Sequence, residues 1–255
     1  MATGTMRQVQ NNYSSLHPEM YERNIRIQKA KKILSILEDY LIDLSNLELL
    51  DIGCAGGFTS FVLGEKFKKV IAIDIDSKAI EFAKNNFAKD NITYQINNSM
   101  NLDFKQESFD VIICSHVYEH VPDSQILMDE IYELLKPGGI CYFAAPNRLM
   151  FVECHYNLLF LSWLPKWLAN YYVRLFNKGT HYYENILTIW SLKKLVSKFE
   201  IIDYTSKIIK SPEKYNASDM LVKGTFKYFI SNIIVKYFLF IVPTYIWLLK
   251  NINKK

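Results

Sequence analysis

Cysteine is scarce: the 255 residues hold four, Cys54, Cys114, Cys141 and Cys154. No two form a C-x-x-C pair and none stands at zinc-site spacing from a histidine. A disulfide framework and a structural zinc module are therefore not indicated. The four read as free thiols of a reducing cytoplasm, and Cys114 and Cys141 fall in expected core strands, where the thiol acts as a small hydrophobe. A dominant charge is lacking too. Lys and Arg exceed Asp and Glu by only 4, with the signs mixed along the chain, so no nucleic-acid partner is implied. Residues 1–15 are polar, have no apolar core of the kind a secretory signal needs, and read as a mobile arm. No internal repeat or low-complexity linker interrupts the chain. The long apolar stretch 226–249 is broken by Lys236 and divided by Pro243, which argues against a membrane span.

What is present is a core. Half the residues are hydrophobic and 15% are aromatic, and the length suits one α/β domain with decorations. The organising stretch is Leu49-Leu50-Asp51-Ile52-Gly53-Cys54-Ala55-Gly56-Gly57-Phe58. An apolar run ends in an acid, a glycine-rich turn comes next, and residues 59–66 are helix-like. Small-molecule cofactors sit at such turns because backbone N–H groups are exposed there. The same turn without a ligand serves only to pack a helix on a strand.

The rest of the chain repeats the alternation. A helix over 19–41 is opened by Ser15-Leu16-His17-Pro18, with Ile25, Ile33, Leu37 and Leu41 as its apolar stripe. Strands are predicted at 47–51, 70–74, 92–96, 109–115 and 140–145. Helices fall at 78–88, capped by Asp76 or Ser77, and at 124–135, ended by Lys136-Pro137-Gly138-Gly139. Alternating strands and helices imply a parallel sheet. Residues 148–180 are rich in Leu, Phe, Trp and Tyr and predict one or two short amphipathic helices, placed as a lid. There Phe151, Leu158, Phe160, Trp163, Trp167 and Tyr171 either line an apolar pocket or cover the sheet. Lys166, Arg174 and Lys178 could meet phosphate or a membrane surface. A helix over 190–199, opened by Thr188 or Ser191, precedes strands at 200–206 and 244–249.

Between those strands an amphipathic helix is expected at 219–240, with Phe226, Ile230, Ile233, Ile234, Tyr237 and Ile241 on one side. Core packing is its first reading. Peripheral membrane contact through 219–242 is the second, since Lys223, Lys227, Lys236, Lys254 and Lys255 supply positive charge. The organisation is thus 1–45 as arm and helix, 46–147 as the cofactor-binding core, 148–186 as the lid and 187–255 as the remainder of the same domain.

Asp74 closes the second strand about 20 residues after Gly53, the spacing at which an acid accepts ribose hydroxyls in such folds. The competing role, capping the next helix, can be filled by Asp76. The turn is not G-x-G-x-x-G, which weakens a nicotinamide cofactor.

Taken together, these motifs resemble the class I S-adenosylmethionine-dependent methyltransferases over about residues 47–147. Asp51-Ile52-Gly53-Cys54-Ala55-Gly56-Gly57 resembles their first motif, with Ala55 in place of its middle glycine. Ile73-Asp74-Ile75-Asp76 resembles the second, ribose-binding one. Asn97-Asn98-Ser99-Met100-Asn101-Leu102 is similar to the adenine segment, with Asn98 replacing its usual Asp. Phe109-Asp110-Val111-Ile112-Ile113-Cys114-Ser115 and Leu134-Leu135-Lys136-Pro137-Gly138-Gly139 complete the series.

The resemblance implies a Rossmann-like, mostly parallel seven-stranded sheet, its last strand antiparallel, with helices on both faces and a lid after strand 5. It implies S-adenosyl-L-methionine held by Asp51, Gly53, Cys54, Ala55, Gly57, Asp74, Ile75, Asn98, Ser99 and Ser115. Ser115 to Asp123 and Ala145-Pro146-Asn147 look most like the branch of ubiquinone-biosynthesis O-methyltransferases and glycan-cluster methyltransferases. His181-Tyr182-Tyr183 and Trp190 to Leu195 resemble that branch's segment before strand 6.

A hydroxyl acceptor needs a base, and His116 or His120 is the candidate; for His120 a purely structural role is the alternative. Glu119 reads as a solvated or loop-anchoring acid. In the ubiquinone branch acids and a histidine of this segment bind a divalent metal. Here His116, Glu119 and His120 occupy those places, His116 replacing an acid, and no metal is assigned. His155 and His181 are lesser acceptor-side candidates. The expected activity is O-methylation of a small-molecule, sugar or lipid-linked acceptor, in the cytoplasm or at the inner face of its membrane. A dinucleotide-dependent oxidoreductase and a non-catalytic cofactor-binding or membrane-scaffolding protein are the alternatives.

Overall fold

The computed structural model describes residues 21–252, so the arm and the expected cap at 15–18 lie outside the described residues. In chain order the strands are β1 (Glu48–Ile52), β2 (Lys69–Asp74), β3 (Ile92–Ile96), β4 (Phe109–Ser115), β5 (Leu135–Pro146), a small hairpin of β6 (Val152–Glu153) and β7 (Leu158–Leu159), then β8 (Glu200–Asp203) and β9 (Thr244–Lys250). Seven of them form one sheet in the order β3-β2-β1-β4-β5-β9-β8. The pairs from β3 through β5 are parallel, and β9 runs antiparallel to both β5 and β8.

The central strands are apolar on both sides because both sides are covered. Leu50, Ile52, Ile112 and Cys114 belong to the core of one face, and Leu49, Val111 and Ile113 to that of the other, as period-two alternation dictates. Helices α1 (Arg23–Tyr40), α2 (Phe58–Leu63) and α3 (Ser77–Asn86) cover the second face. Helices α4 (Ser124–Leu134) and α6 (Ile189–Leu195) cover the first, and α5 (Lys166–Leu175) lies between these two in the chain. Two further helices, α7 (Thr205–Lys210) and α8 (Phe226–Tyr237), lie between β8 and β9. Among the described residues no helix is long and apolar enough to cross a membrane.

Several expectations need correction. In α1 the buried stripe is Ala30, Ile33, Ile36 and Leu37, while Ile25 is 63% exposed. Lys136 to Gly139 does not form a free turn. It is a bulge within β5, because Phe109 pairs with Leu135 but Val111 pairs with Ile140, and Gly138 takes the positive φ of 75° there. The strand after α6 stops at Asp203, whose side chain accepts from the N–H groups of Thr205 and Ser206 and starts α7.

The lid is a hairpin, a short turn of 3₁₀ helix and α5 around its own small core of Leu158, Leu161, Ala169, Val173 and Tyr182. Its aromatic residues Phe151, Phe160, Trp163, Trp167 and Tyr171 face outward, leaving Leu158 as the buried member of the expected set. Lys166 donates to the carbonyls of Tyr182 and Glu184, so it serves the lid internally. Core packing holds for one side of α8, where Val235 joins the main core and Ile234 packs against it, while Phe226 on the other side stands 79% exposed.

Candidate active site

β1 lies between β2 and β4, so the connections leaving β1 and β4 diverge to opposite sides. That reversal opens a crevice at the carboxyl ends of the strands. A cavity of ≈570 Å³ occupies it, lined by the turn after β1, the end of β2, Asn97 to Ser99, the loop after β4, the hairpin and α1. Of the predicted cofactor residues, Asp51, Gly53, Cys54, Ala55, Asp74, Ile75, Asn98, Ser99 and Ser115 line it, together with His116 and His120. Gly57 does not. It precedes α2 with φ 80°, and a Cβ there would stand 2.7 Å from the Ala83 Cβ and 2.9 Å from Tyr94. Its role is close helix packing. The turn itself is under strain at Ala55, whose φ of 49° is left-handed.

Asp74 holds that turn. Its carboxylate accepts the Ala55 N–H at 2.8 Å and the Asp76 N–H at 2.9 Å, and burial raises its pKa. Asp76, not Asp74, caps α3, accepting from Lys78 and Ala79. Asp51 is buried and accepts from the Ser60 hydroxyl at 2.6 Å. Burial pushes it to about 7, with the Ser60 bond opposing the rise. Asn98 turns its side-chain oxygen toward the Met100 N–H at 3.1 Å, which fixes the loop beside the cavity.

The loop after β4 is anchored by Tyr118, whose hydroxyl donates to the Pro146 carbonyl at 2.8 Å and accepts the Leu187 N–H at 3.1 Å. Three ionisable groups of this loop then meet. Glu119 is buried, not solvated, with His116 Nδ1 at 3.4 Å and His120 Nε2 at 3.9 Å. Burial opposes its charge, but the surrounding histidines hold the carboxyl below its ordinary value. His116 sits at φ 59°. Burial, with the charge of Lys29, lowers its pKa, so the imidazole is neutral near pH 7.

The structure adds residues that sequence reasoning missed. Arg26 and Lys29 reach the cavity from α1, and burial pushes Lys29 down to about 8. Their signal was present: positions 26 and 29 continue the stripe of 30, 33, 36 and 37, so two cations occupy core-facing positions. His155, a lesser candidate from sequence, lines the cavity, whereas His181 is exposed beside Tyr183. His155 Nδ1 lies 2.7 Å from the buried carboxylate of Glu153. Burial opposes protonation, but contacts with Cys154 and Glu153 push the imidazole up to about 11. Its ring stands edge-on to His120 at 5.0 Å.

An acid at the end of β2, a glycine-bearing turn after β1 and a seven-stranded sheet of this order define the class I methyltransferase architecture. Residues 50–143 match the family described as Methyltransferase domain. Ubiquinone biosynthesis O-methyltransferase of Coxiella burnetii is 33% identical over 148 residues, which is 57% of this chain and 59% of that protein. The alignment thus spans well under two thirds of that relative's length. Among solved structures, a chain of the complex containing the Haloferax volcanii Trm112 methyltransferase activator superposes with TM-score 0.60 at 12% identity, covering 98% of this chain and 99% of that one. The S-adenosylmethionine-dependent methyltransferase of Mesorhizobium loti does so with TM-score 0.55 at 18% identity, covering 84% and 95%. Both likenesses are likenesses of fold.

Proposed function

We propose that the chain transfers a methyl group from S-adenosyl-L-methionine to a hydroxyl of a small-molecule, sugar or lipid-linked acceptor. The carrying observation is the Asp74-pinned turn beside the cavity, within a stretch that matches the methyltransferase-domain family. Asp74 takes the ribose hydroxyls and the Asn98–Ser99 loop takes adenine. Arg26 and Lys29 line the same cavity and would hold the methionine carboxylate, and the Asp51 carboxylate would favour the cationic end of the cofactor. When bound, S-adenosyl-L-methionine would supply an electrophilic methyl on a sulfonium that leaves as the neutral thioether, and His116 would take the proton of the acceptor hydroxyl. Because the methyl is already electrophilic, positioning and exclusion of water supply much of the rate. His116 suits the proton's destination because its low pKa leaves it neutral.

Isothermal titration tests the cofactor: S-adenosylhomocysteine should bind, and NAD(H) and NADP(H) should not. The reverse result would favour an oxidoreductase. Binding without turnover across a broad panel of hydroxyl acceptors would favour a non-catalytic role.

Peripheral membrane contact belongs to the same proposal. Helix α8 exposes Phe226, Phe229 and Tyr237, and Lys223, Lys227 and Lys236 lie on or beside it. Apolar side chains flanked by lysines suit an anionic lipid surface, and an acceptor presented there would be lipid-linked. Co-sedimentation with anionic but not neutral vesicles is expected. Equal absence from both would remove this part.

A further inference from the structure

We propose that the lid hairpin completes a divalent-cation site: Glu119 and His120 from the loop after β4 and His155 from the hairpin hold the ion, and Glu153 orients His155. The family resemblance implies a different set, with position 116 as a ligand. The arrangement in this chain favours the lid histidine. One ligand atom from each of Glu119, His120 and His155 lies within 4.8 Å of the other two, and His116 falls outside that group.

Glu119 supplies the strongest argument. It is 1% exposed, and neither carboxylate oxygen accepts a hydrogen bond of normal geometry from the described residues. A buried carboxylate held only by long contacts to His116 at 3.4 Å and His120 at 3.9 Å is costly, and a bound cation lowers that cost. The second argument is independent. Glu153 is fully buried and accepts the N–H groups of His155 and Tyr156, each at 2.9 Å, besides its 2.7 Å contact with His155 Nδ1. A bound cation would displace the ring's second proton, and the carboxylate on one ring nitrogen would then fix the tautomer and leave the other nitrogen as the ligand, the arrangement found around metal-bound histidines. Cys154 and Glu153 also lie within metal-ligand reach of His155, but Glu153 is occupied by three N–H groups and so acts from outside the coordination shell.

Two histidines and one carboxylate suit zinc, cobalt, manganese or iron, with positions left open to the cavity. When bound, such an ion supplies Lewis-acid polarisation of an acceptor oxygen. Ligand bonds of about 2.1 Å bring ligand atoms to roughly 3–3.5 Å from one another. The Glu119–His120 contact of 3.9 Å is a little wider than that, so an ion would draw these two groups together.

The test uses the full chain, stripped with chelator and titrated calorimetrically with Zn²⁺, Co²⁺ and Mn²⁺, without cofactor or acceptor. One ion per chain should bind. Glu119→Gln and His155→Ala should abolish or greatly weaken binding, and Glu153→Gln should weaken it about 10- to 100-fold. His116→Ala and Cys154→Ser should leave the affinity within about twofold. Retained S-adenosylhomocysteine binding certifies that a variant is folded. Should His155→Ala fail that check, hydrogen exchange on the wild type decides: ion binding should protect the amides of 152–159. No ion bound by the wild type, wild-type affinity in folded His155→Ala, loss confined to His116→Ala, or unchanged exchange in the hairpin would each overturn the proposal. Ion binding without cofactor binding would sink the methyltransferase reading and leave this one standing.

Discussion

Replacing Asp74 removes two things at once, and the structure lets them be separated. Its oxygens accept the N–H groups of Ala55 and Asp76 inside the protein and, on the proposed reading, the ribose hydroxyls of the cofactor. Hydrogen bonds to a charged group contribute about 1.5–3 kcal/mol. Asp74→Ala should therefore weaken S-adenosylhomocysteine binding by roughly 10- to 150-fold, at about 1.4 kcal/mol per decade. It also leaves two backbone donors without their acceptor, at about 1–3 kcal/mol of stability each if they stay dry. The two N–H groups use different carboxylate oxygens, so Asp74→Asn, which keeps one acceptor, should lose affinity while recovering only part of the stability that Asp74→Ala loses. Calorimetric titration gives the first number and thermal denaturation without ligand the second. If folded Asp74→Asn binds within about twofold of the wild type, the ribose role is wrong and Asp74 only braces the turn.

Three other outcomes are expected from the same geometry. His116→Ala should lower turnover about 10²- to 10⁴-fold, the usual worth of a general base, with cofactor affinity nearly unchanged in titration; full activity would remove His116 from the reaction. Gly57→Ala meets a left-handed φ and a Cβ contact of 2.7 Å, so it should cost about 2–4 kcal/mol in denaturant unfolding; a loss below about 1 kcal/mol would mean that the turn relaxes. Asp51 titrates at about 7 when folded against an ordinary 3.8, so the folded chain holds a proton that the unfolded chain has lost between those values. This group therefore makes stability fall as pH rises from about 4 to 7, and Asp51→Asn should flatten that slope in pH-dependent melting. The same ionisation should raise the affinity for cationic S-adenosylmethionine relative to S-adenosylhomocysteine as pH passes 7, with the discharge of Lys29 adding in the same direction.

The sheet was legible because its central strands are covered on both faces and therefore read as apolar runs, β4 most plainly. The turn after β1 and the end of β2 were legible because their requirements are local: glycine where φ is positive and an acid where a strand ends. What escaped the sequence depends on contacts far apart in the chain. Glu119 looks like any loop acid until Tyr118 ties its loop to Pro146 and Leu187 and buries it. His155 gains its place only because a two-residue strand pairs Glu153 with Leu158, and Cys154-His155-Tyr156-Asn157 carries too little pattern to announce a hairpin. Arg26 and Lys29 were hidden by the habit of placing cations on the wet side of a helix. The aromatic lid was misjudged for the opposite reason, since size and hydrophobicity alone do not say which way Trp167 faces.

A crystal structure with S-adenosylhomocysteine is the sharpest test of the cofactor assignment. The ribose hydroxyls should lie on Asp74, the adenine beside Asn98 and Ser99, and the sulfur should face His116 across the cavity. A nucleoside bound elsewhere, or a crevice that stays closed to the cofactor, would contradict that assignment.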